Sequence, residues 1–140
     1  MTRRIPLFLL GAFLLVYVLP LGVRPLSIPD ETRYAEIPRE MRASGDWVAP
    51  RLNGLRYFEK PVLGYWLTAV SMGIFGENNF AVRFPAAAAV GMSALVIFLL
   101  ARKHAGGPAV AGLSAAGFLV CPLVFGAGVY AILDGTFSVF

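Results

Sequence analysis

The 140 residues carry a formal net charge of +4, are 58% hydrophobic and are only 14% charged, whereas soluble domains are roughly a quarter charged. This composition excludes an ordinary soluble domain. It also argues against a nucleic-acid-binding protein, because the basic residues alternate with acidic ones and form no dense cluster. The one cysteine, Cys121, excludes a disulfide within the chain.

Three uncharged segments are long enough to cross a bilayer as helices, which takes about 20 residues. We predict spans at residues 5–23, 84–101 and 108–130. The first segment also resembles a signal peptide, but it is longer than the usual apolar region and lacks a good cleavage site, which favours an uncleaved span. The glycines of the third segment, with Pro122, predict close helix packing and a kink.

Basic residues in short loops predict the orientation of the spans. Arg3-Arg4 and Arg102-Lys103 should both face the cytoplasm. Residues 24–83 then form a loop on the outer side of the membrane. The third span returns to that side and places Asp134 there.

The outer loop contains a predicted helix over residues 31–43. Three apolar residues lie on one face of it: Tyr34, Ile37 and Met41. Asp30 suits its N-cap and Gly45 suits its end. Pro38 should kink the helix or divide it into two turns.

Residues 61–76 form an uncharged segment that is shorter than the about 20 residues of a typical membrane span. If it crossed the membrane, Arg102-Lys103 would emerge outside, against the charge rule. We predict a helix lying in the membrane interface, with Tyr65 and Trp66 at the depth of the lipid headgroups.

Asp30 and Glu31 can be interpreted in two ways. They could be a helix cap and a first-turn acid, both favoured by the helix dipole. They could also be catalytic carboxylates held just above the membrane, where a lower dielectric strengthens their interactions. The two interpretations are compatible.

Three other charged positions are candidates for function. Glu59-Lys60 could be a solvated pair, but the lysine directly precedes the predicted interfacial helix, where it could bind a lipid phosphate. Asp134, the only acid after Glu77, could end a helix at the water boundary or act in a site. Arg83, before Phe84-Pro85, is interpreted as an interfacial anchor.

Several familiar sites are missing from the sequence. The single histidine, His104, lies on the predicted cytoplasmic side, which excludes a serine–histidine–aspartate site in the outer loop. The glycines are spread through the spans and form no phosphate-binding loop. Glu59 could supply one metal ligand, but no complete metal site is visible.

Residues 30–41, 44–47 and 55–61, with Tyr65-Trp66, resemble the amino-terminal part of the bacterial lipid A 4-amino-4-deoxy-L-arabinose transferases. Those enzymes belong to the wider polyprenyl-phosphate-dependent GT-C glycosyltransferases, which include the protein O-mannosyltransferases. The resemblance runs from the first span to Asp134. Related hexosyltransferases share the Asp-Glu and Glu-Lys-Pro strings, so it is more specific for the superfamily than for the sugar.

The resemblance implies an all-α membrane protein of the GT-C type, a transmembrane helix bundle with an extracytoplasmic cavity. Residues 1–140 would be the amino-terminal part of one such domain, in the bacterial inner membrane with its active site facing the periplasm. The activity implied is transfer of the sugar from a polyprenyl-phosphate carrier to lipid A. The alternative is transfer of a hexose or mannose to protein or another glycan. The chain alone is expected to be inactive.

The resemblance also implies roles for individual residues. Asp30 would be the main catalytic carboxylate and Asp134 the second. Lys60 would hold the carrier phosphate, and Glu59 would contribute to a divalent-metal site whose other ligand lies beyond Phe140. The remaining residues expected to contact substrate are Glu31, Arg33, Tyr34 and Tyr57.

Two other classes of protein compete with this interpretation. A small transporter subunit would use Asp134 as an ion site, but it should also carry charged residues at mid-span, and the spans have none. A three-helix assembly protein would leave the ordered polar strings of the outer loop unexplained.

Overall fold

A computed structural model of the chain describes residues 4–104 and 106–131. Asp134 lies outside them. The elements in chain order are helix α1 (Arg4–Phe13), helix α2 (Asp30–Ser44), strands β1 (Arg51–Leu52) and β2 (Leu55–Arg56), and helices α3 (Val62–Phe75), α4 (Asn79–His104), α5 (Pro108–Leu119) and α6 (Pro122–Val129). The predicted all-α class is confirmed, apart from the two-residue strands.

Within the described part of the chain, two helical segments are long and apolar enough to cross a membrane, or three if α5 and α6 count as one bent span. The first is Arg4–Gly22, which extends α1 through a π-helical turn and a 3₁₀ turn. Pro20 explains the irregular end, because proline has no amide hydrogen and its ring crowds the carbonyl four residues before it. The second is α4, which begins five residues before the predicted span.

Helix α4 begins earlier than predicted because Asn78 caps it. The Asn78 side-chain oxygen accepts a hydrogen bond from the Ala81 amide at 2.9 Å, which satisfies one of the free amides of the first turn. The consequence is that Arg83 lies inside the helix rather than before it.

The third apolar segment is broken, as Pro122 suggested. Helices α5 and α6 meet at an angle of 67°. Two of its glycines allow close packing: a Cβ on Gly112 would lie 2.7 Å from Ile5, and one on Gly128 would lie 2.8 Å from the Tyr17 ring. Gly117 and Gly126 have no such neighbour within 4 Å.

Helix α2 confirms the predicted apolar face and corrects two details. Ile37 and Met41 are buried with Tyr65 of α3, and Gly45 ends the helix with a φ of +73°. Pro38 does not divide the helix, since the packing of the whole face outweighs the loss of one backbone bond. Asp30 is not the cap: the helix starts after Pro29, and no side chain caps it.

A β-hairpin that was not predicted follows α2. Arg51 pairs with Arg56 and Leu52 with Leu55, around a turn in which Asn53 and Gly54 both have positive φ, as a type I′ hairpin turn requires. The Glu40 carboxylate accepts hydrogen bonds from both turn amides, Asn53 and Gly54. This contact ties the hairpin to α2.

Helix α3 confirms the short helix predicted after Pro61. Its 14 residues are fewer than the about 20 that a membrane-spanning helix needs. Its location in the membrane interface remains a prediction. Helix α4 contacts α3, α5 and α6, so it joins the short helix before it to the apolar helices that follow.

Candidate functional site

Hydrogen bonds join the first turn of α2 to the segment before α3. The Arg33 guanidinium donates to the Asp30 carboxylate at 2.5 Å and to the Tyr57 hydroxyl at 3.2 Å. The Tyr57 hydroxyl donates to the Glu59 carboxylate at 2.7 Å. We call these four residues the polar network. It brings together side chains that lie up to 29 positions apart in the sequence.

The polar network is open to solvent on one side. The Asp30 side chain is 63% exposed and that of Arg33 is 34% exposed. The hydrogen bond to Glu59, with some help from burial, raises the pKa of the Tyr57 hydroxyl, so it stays protonated and remains a donor. An exposed carboxylate beside a fixed cation and a fixed hydroxyl can bind a polar ligand.

Beneath the polar network lies an aromatic layer. The Tyr34 and Tyr65 rings are 6.2 Å apart between centroids. Tyr65 is completely buried against Ile37 and Met41, and Tyr34 and Tyr57 pack against this cluster. Tyr34 and Tyr57, two of the residues expected to contact substrate, therefore lie on the same side of α2 as Arg33. Tyr65, which the sequence suggested only as a headgroup anchor, is part of the layer.

A second polar cluster lies behind the polar network, and it is buried. The Arg83 guanidinium donates to both Glu31 carboxylate oxygens, with each contact at 2.8 Å, and both side chains are only 1% exposed. Arg83 also donates to the backbone carbonyls of Leu21, Arg24 and Pro25. It therefore joins α4 to α2 and to the end of the first span.

Glu31 is fully engaged by protein donors. In addition to Arg83, its carboxylate accepts from the amides of Ser27 and Ala131 and from the Arg24 side chain. Burial alone would raise the pKa of Glu31, but the hydrogen bonds from Arg83 and the two amides outweigh it and lower the pKa from 4.5 to about 2. Glu31 is therefore ionised at neutral pH.

Arg83 is the main residue whose role the sequence did not reveal. It was interpreted as an interfacial anchor, and that interpretation is wrong, since its side chain is buried in an ion pair with Glu31. The available signal was an arginine at the start of an apolar helix, with Glu31 in the preceding loop as a possible counter-charge. The 52-residue separation hid the pairing.

Lys60 follows the polar network directly, before Pro61 and α3. Glu59 is the single carboxylate predicted to bind metal. No group of three or more metal-binding side chains occurs among residues 4–104 and 106–131. The residues described do not form a metal site on their own.

Known protein families and structures are similar to this chain. A sequence model of the dolichyl-phosphate-mannose-protein mannosyltransferase family matches residues 59–140. The undecaprenyl phosphate-alpha-4-amino-4-deoxy-L-arabinose arabinosyl transferase of Edwardsiella ictaluri is 53% identical over 126 residues, which are 90% of this chain and 23% of that protein. A protein of the same description from Pseudomonas fluorescens is 48% identical, over 93% of this chain and 24% of the relative.

Two crystal structures of ArnT from Cupriavidus metallidurans share the fold. The apo structure superposes with a TM-score of 0.86 and the one bound to undecaprenyl phosphate with 0.87. Both are 38% identical to the chain, covering 93% of it and 24% of ArnT. The chain thus spans about a quarter of the length of the relatives it matches. It is a multi-pass membrane protein of the ArnT fold, and it belongs to the dolichyl-phosphate-mannose-protein mannosyltransferase family.

Proposed function

We propose that the complete protein is a membrane glycosyltransferase that moves 4-amino-4-deoxy-L-arabinose from a polyprenyl-phosphate carrier to lipid A. The observation that carries this proposal is the polar network, which joins the Asp-Glu and Glu-Lys-Pro strings into one exposed site. The names of the arabinosyl transferase relatives and the undecaprenyl phosphate bound to ArnT support the choice of donor.

The same proposal places the protein in the bacterial inner membrane. Residues 1–140 would form the amino-terminal part of one GT-C domain, with the polar network facing the periplasm. The basic residues Arg102 and Lys103, in the last turn of α4, support this orientation, because such residues favour the cytoplasmic side.

The proposed catalysis is mainly electrostatic. When the sugar leaves its carrier, negative charge develops on the carrier phosphate, and the proposed role of Lys60 is to stabilise it. A lipid A phosphate has a second pKa of roughly 6, so at pH 7 it is largely ionised and attacks without a strong base. Asp30 and Asp134 would orient the reactants or stabilise positive charge on the sugar ring.

Three of the four residues expected to contact substrate would bind it. Arg33, which is hydrogen-bonded to Asp30 and Tyr57, supplies donors, and Tyr34 and Tyr57 supply an aromatic surface. Glu31 was also expected to contact substrate. The Glu31 oxygens already accept hydrogen bonds from Arg83 and two backbone amides. Its proposed role is therefore to fix the start of α2, and with it the neighbouring Asp30, instead of contacting substrate.

Reconstituted transfer tests the proposal. The complete protein, in vesicles containing lipid A, is supplied with undecaprenyl-phosphate-linked 4-amino-4-deoxy-L-arabinose, and the mass of lipid A is recorded. We expect one added sugar per modified phosphate. No product at normal protein level would refute the proposal.

A second experiment tests the alternative function, transfer of mannose to protein, which the name of the matched family suggests. The same vesicles receive a polyprenyl-phosphate-linked mannose and an acceptor protein rich in serine and threonine. Mannosylated protein without modified lipid A would replace the proposed acceptor and sugar. In that case a base must remove the hydroxyl proton, and Asp30 becomes the candidate.

A further inference from the structure

Two buried polar atoms near the polar network lack a hydrogen-bond partner among the described residues. They are the Nε of Arg33 and the hydroxyl oxygen of Tyr65. The Tyr65 side chain is completely buried. Buried donors in native proteins are nearly always paired, and each exception needs an explanation, such as strain, a catalytic role or a bound water or ion. A phenylalanine would have filled the same space without that cost.

The Arg33 Nε and the Tyr65 hydroxyl lie in the same region of the structure. Arg33 and Tyr57 are hydrogen-bonded to each other, and Tyr34 and Tyr57 both pack against the buried cluster that contains Tyr65. The Tyr65 ring packs beside Tyr34 in the aromatic layer. The unpaired hydroxyl therefore lies at the base of the polar network, and the unpaired Nε is part of it.

We propose that the Tyr65 hydroxyl and the Arg33 Nε–H together bind a hydroxyl group of the sugar on the carrier-linked donor. The inference rests on the proposed function and deepens it, because it assigns a sugar-recognition role to Tyr65.

The charges around the pair favour a neutral sugar hydroxyl over a phosphate. The Arg33 charge is already balanced by Asp30 at 2.5 Å, and Glu59 adds a second negative charge through Tyr57. A phosphate placed there would meet two carboxylates. A sugar hydroxyl instead accepts from the Arg33 Nε–H and shares a second hydrogen bond with Tyr65, which can donate or accept.

The experiment compares Tyr65→Phe with the wild-type complete protein. Dissociation constants are measured for two probes: undecaprenyl phosphate alone, and the same carrier linked to 4-amino-4-deoxy-L-arabinose. We expect Tyr65→Phe to bind the sugar-linked carrier about 3- to 10-fold more weakly, the effect of one lost hydrogen bond. Binding of the bare carrier should not change.

Protein stability separates a ligand-binding hydroxyl from a structural one. The ligand-free unfolding midpoint of Tyr65→Phe in detergent should equal or exceed that of the wild type, because the variant loses an unpaired polar group. Tyr17→Phe is the matched control. Tyr17 is also buried, but its hydroxyl donates to the Leu119 carbonyl at 2.5 Å. This control should unfold earlier and bind both probes normally.

Three outcomes overturn the inference. Equal weakening for both probes would place the contact on the phosphate. Unchanged binding of both would mean that the hydroxyl does not touch the donor, and a lowered midpoint would mean that another part of the protein satisfies it. If the wild type itself fails to bind the sugar-linked carrier, the proposed function falls too, which distinguishes the two failures.

Discussion

Replacing Arg83 by methionine should lower the free energy of unfolding more than breaking any of the other ion pairs described above. Arg83 donates five hydrogen bonds, two to Glu31 and three to backbone carbonyls at 2.7–2.9 Å. Methionine fills part of the space but donates none. The variant would leave the Glu31 carboxylate buried without its main counter-charge.

The size of the effect follows from burial. Removing one partner of a buried ion pair typically costs about 3–5 kcal/mol, because the other charge remains in a poorly solvating environment. Domain stabilities are about 5–15 kcal/mol, so this loss is about 30–50% of a mid-range value of about 10 kcal/mol. Arg83→Lys should recover only part of it, since an ammonium group cannot match the two parallel bonds to Glu31.

The assay is detergent-induced unfolding of the complete protein in mixed micelles, followed by circular dichroism. Arg39→Met is the matched control, because Arg39 also forms two bonds to a glutamate, Glu36, but on the surface. Exposed pairs contribute little, so the control should barely move the midpoint. Equal midpoints for the two variants would refute the structural role of the buried pair.

Three further predictions concern charge and topology. Below about pH 4.5 the unfolding midpoint should fall, because a group whose pKa is lowered to about 2 stabilises the fold only while it is ionised; Glu31→Gln should flatten the fall, and parallel curves would contradict this. Lys60→Ala should slow sugar transfer about 10²–10³-fold, measured as initial rate at equal protein level; a change below tenfold would exclude the phosphate role. After replacement of Cys121, a cysteine at Asp46 should react with an impermeant label from outside and one at Lys103 only from the cytoplasm, and the reverse pattern would overturn the topology.

Most of the fold could be predicted from the sequence because membrane spans and amphipathic helices are encoded by local patterns. The apolar face of α2 follows from the spacing of Tyr34, Ile37 and Met41, and Gly45 marks its end. The break between α5 and α6 follows from Pro122. These features depend on residues within a few positions of one another.

The errors have local physical causes too. Asn78 and Asn79 both suit a cap, but the charge of Arg83 favours a span that starts after it. The Asn53-Gly54 pair is a strong signal for a hairpin turn, yet strands of two residues are too short for a periodicity to show. Asp30 suited a cap by residue type, but its carboxylate bonds to Arg33 instead.

The candidate site was predicted only in part. The polar network could be anticipated from the two polar strings, but its geometry could not, since Tyr57 reaches Arg33 across 24 positions. The pairing of Glu31 with Arg83 and the unpaired hydroxyl of Tyr65 depend on tertiary packing. No sequence pattern within one element encodes such contacts.

The most direct test of the account is the effect of Asp30→Asn on transfer from the carrier lipid to lipid A. Asparagine has nearly the same size and keeps one oxygen acceptor for Arg33, so the fold should be retained. Asp46→Asn is the matched control, because Asp46 accepts hydrogen bonds from two amides of its own turn, those of Val48 and Ala49. We predict that Asp30→Asn abolishes transfer at normal protein level while Asp46→Asn leaves it nearly unchanged. Near-normal transfer by Asp30→Asn would show that the carboxylate only supports the fold, and the proposed catalytic site would be wrong.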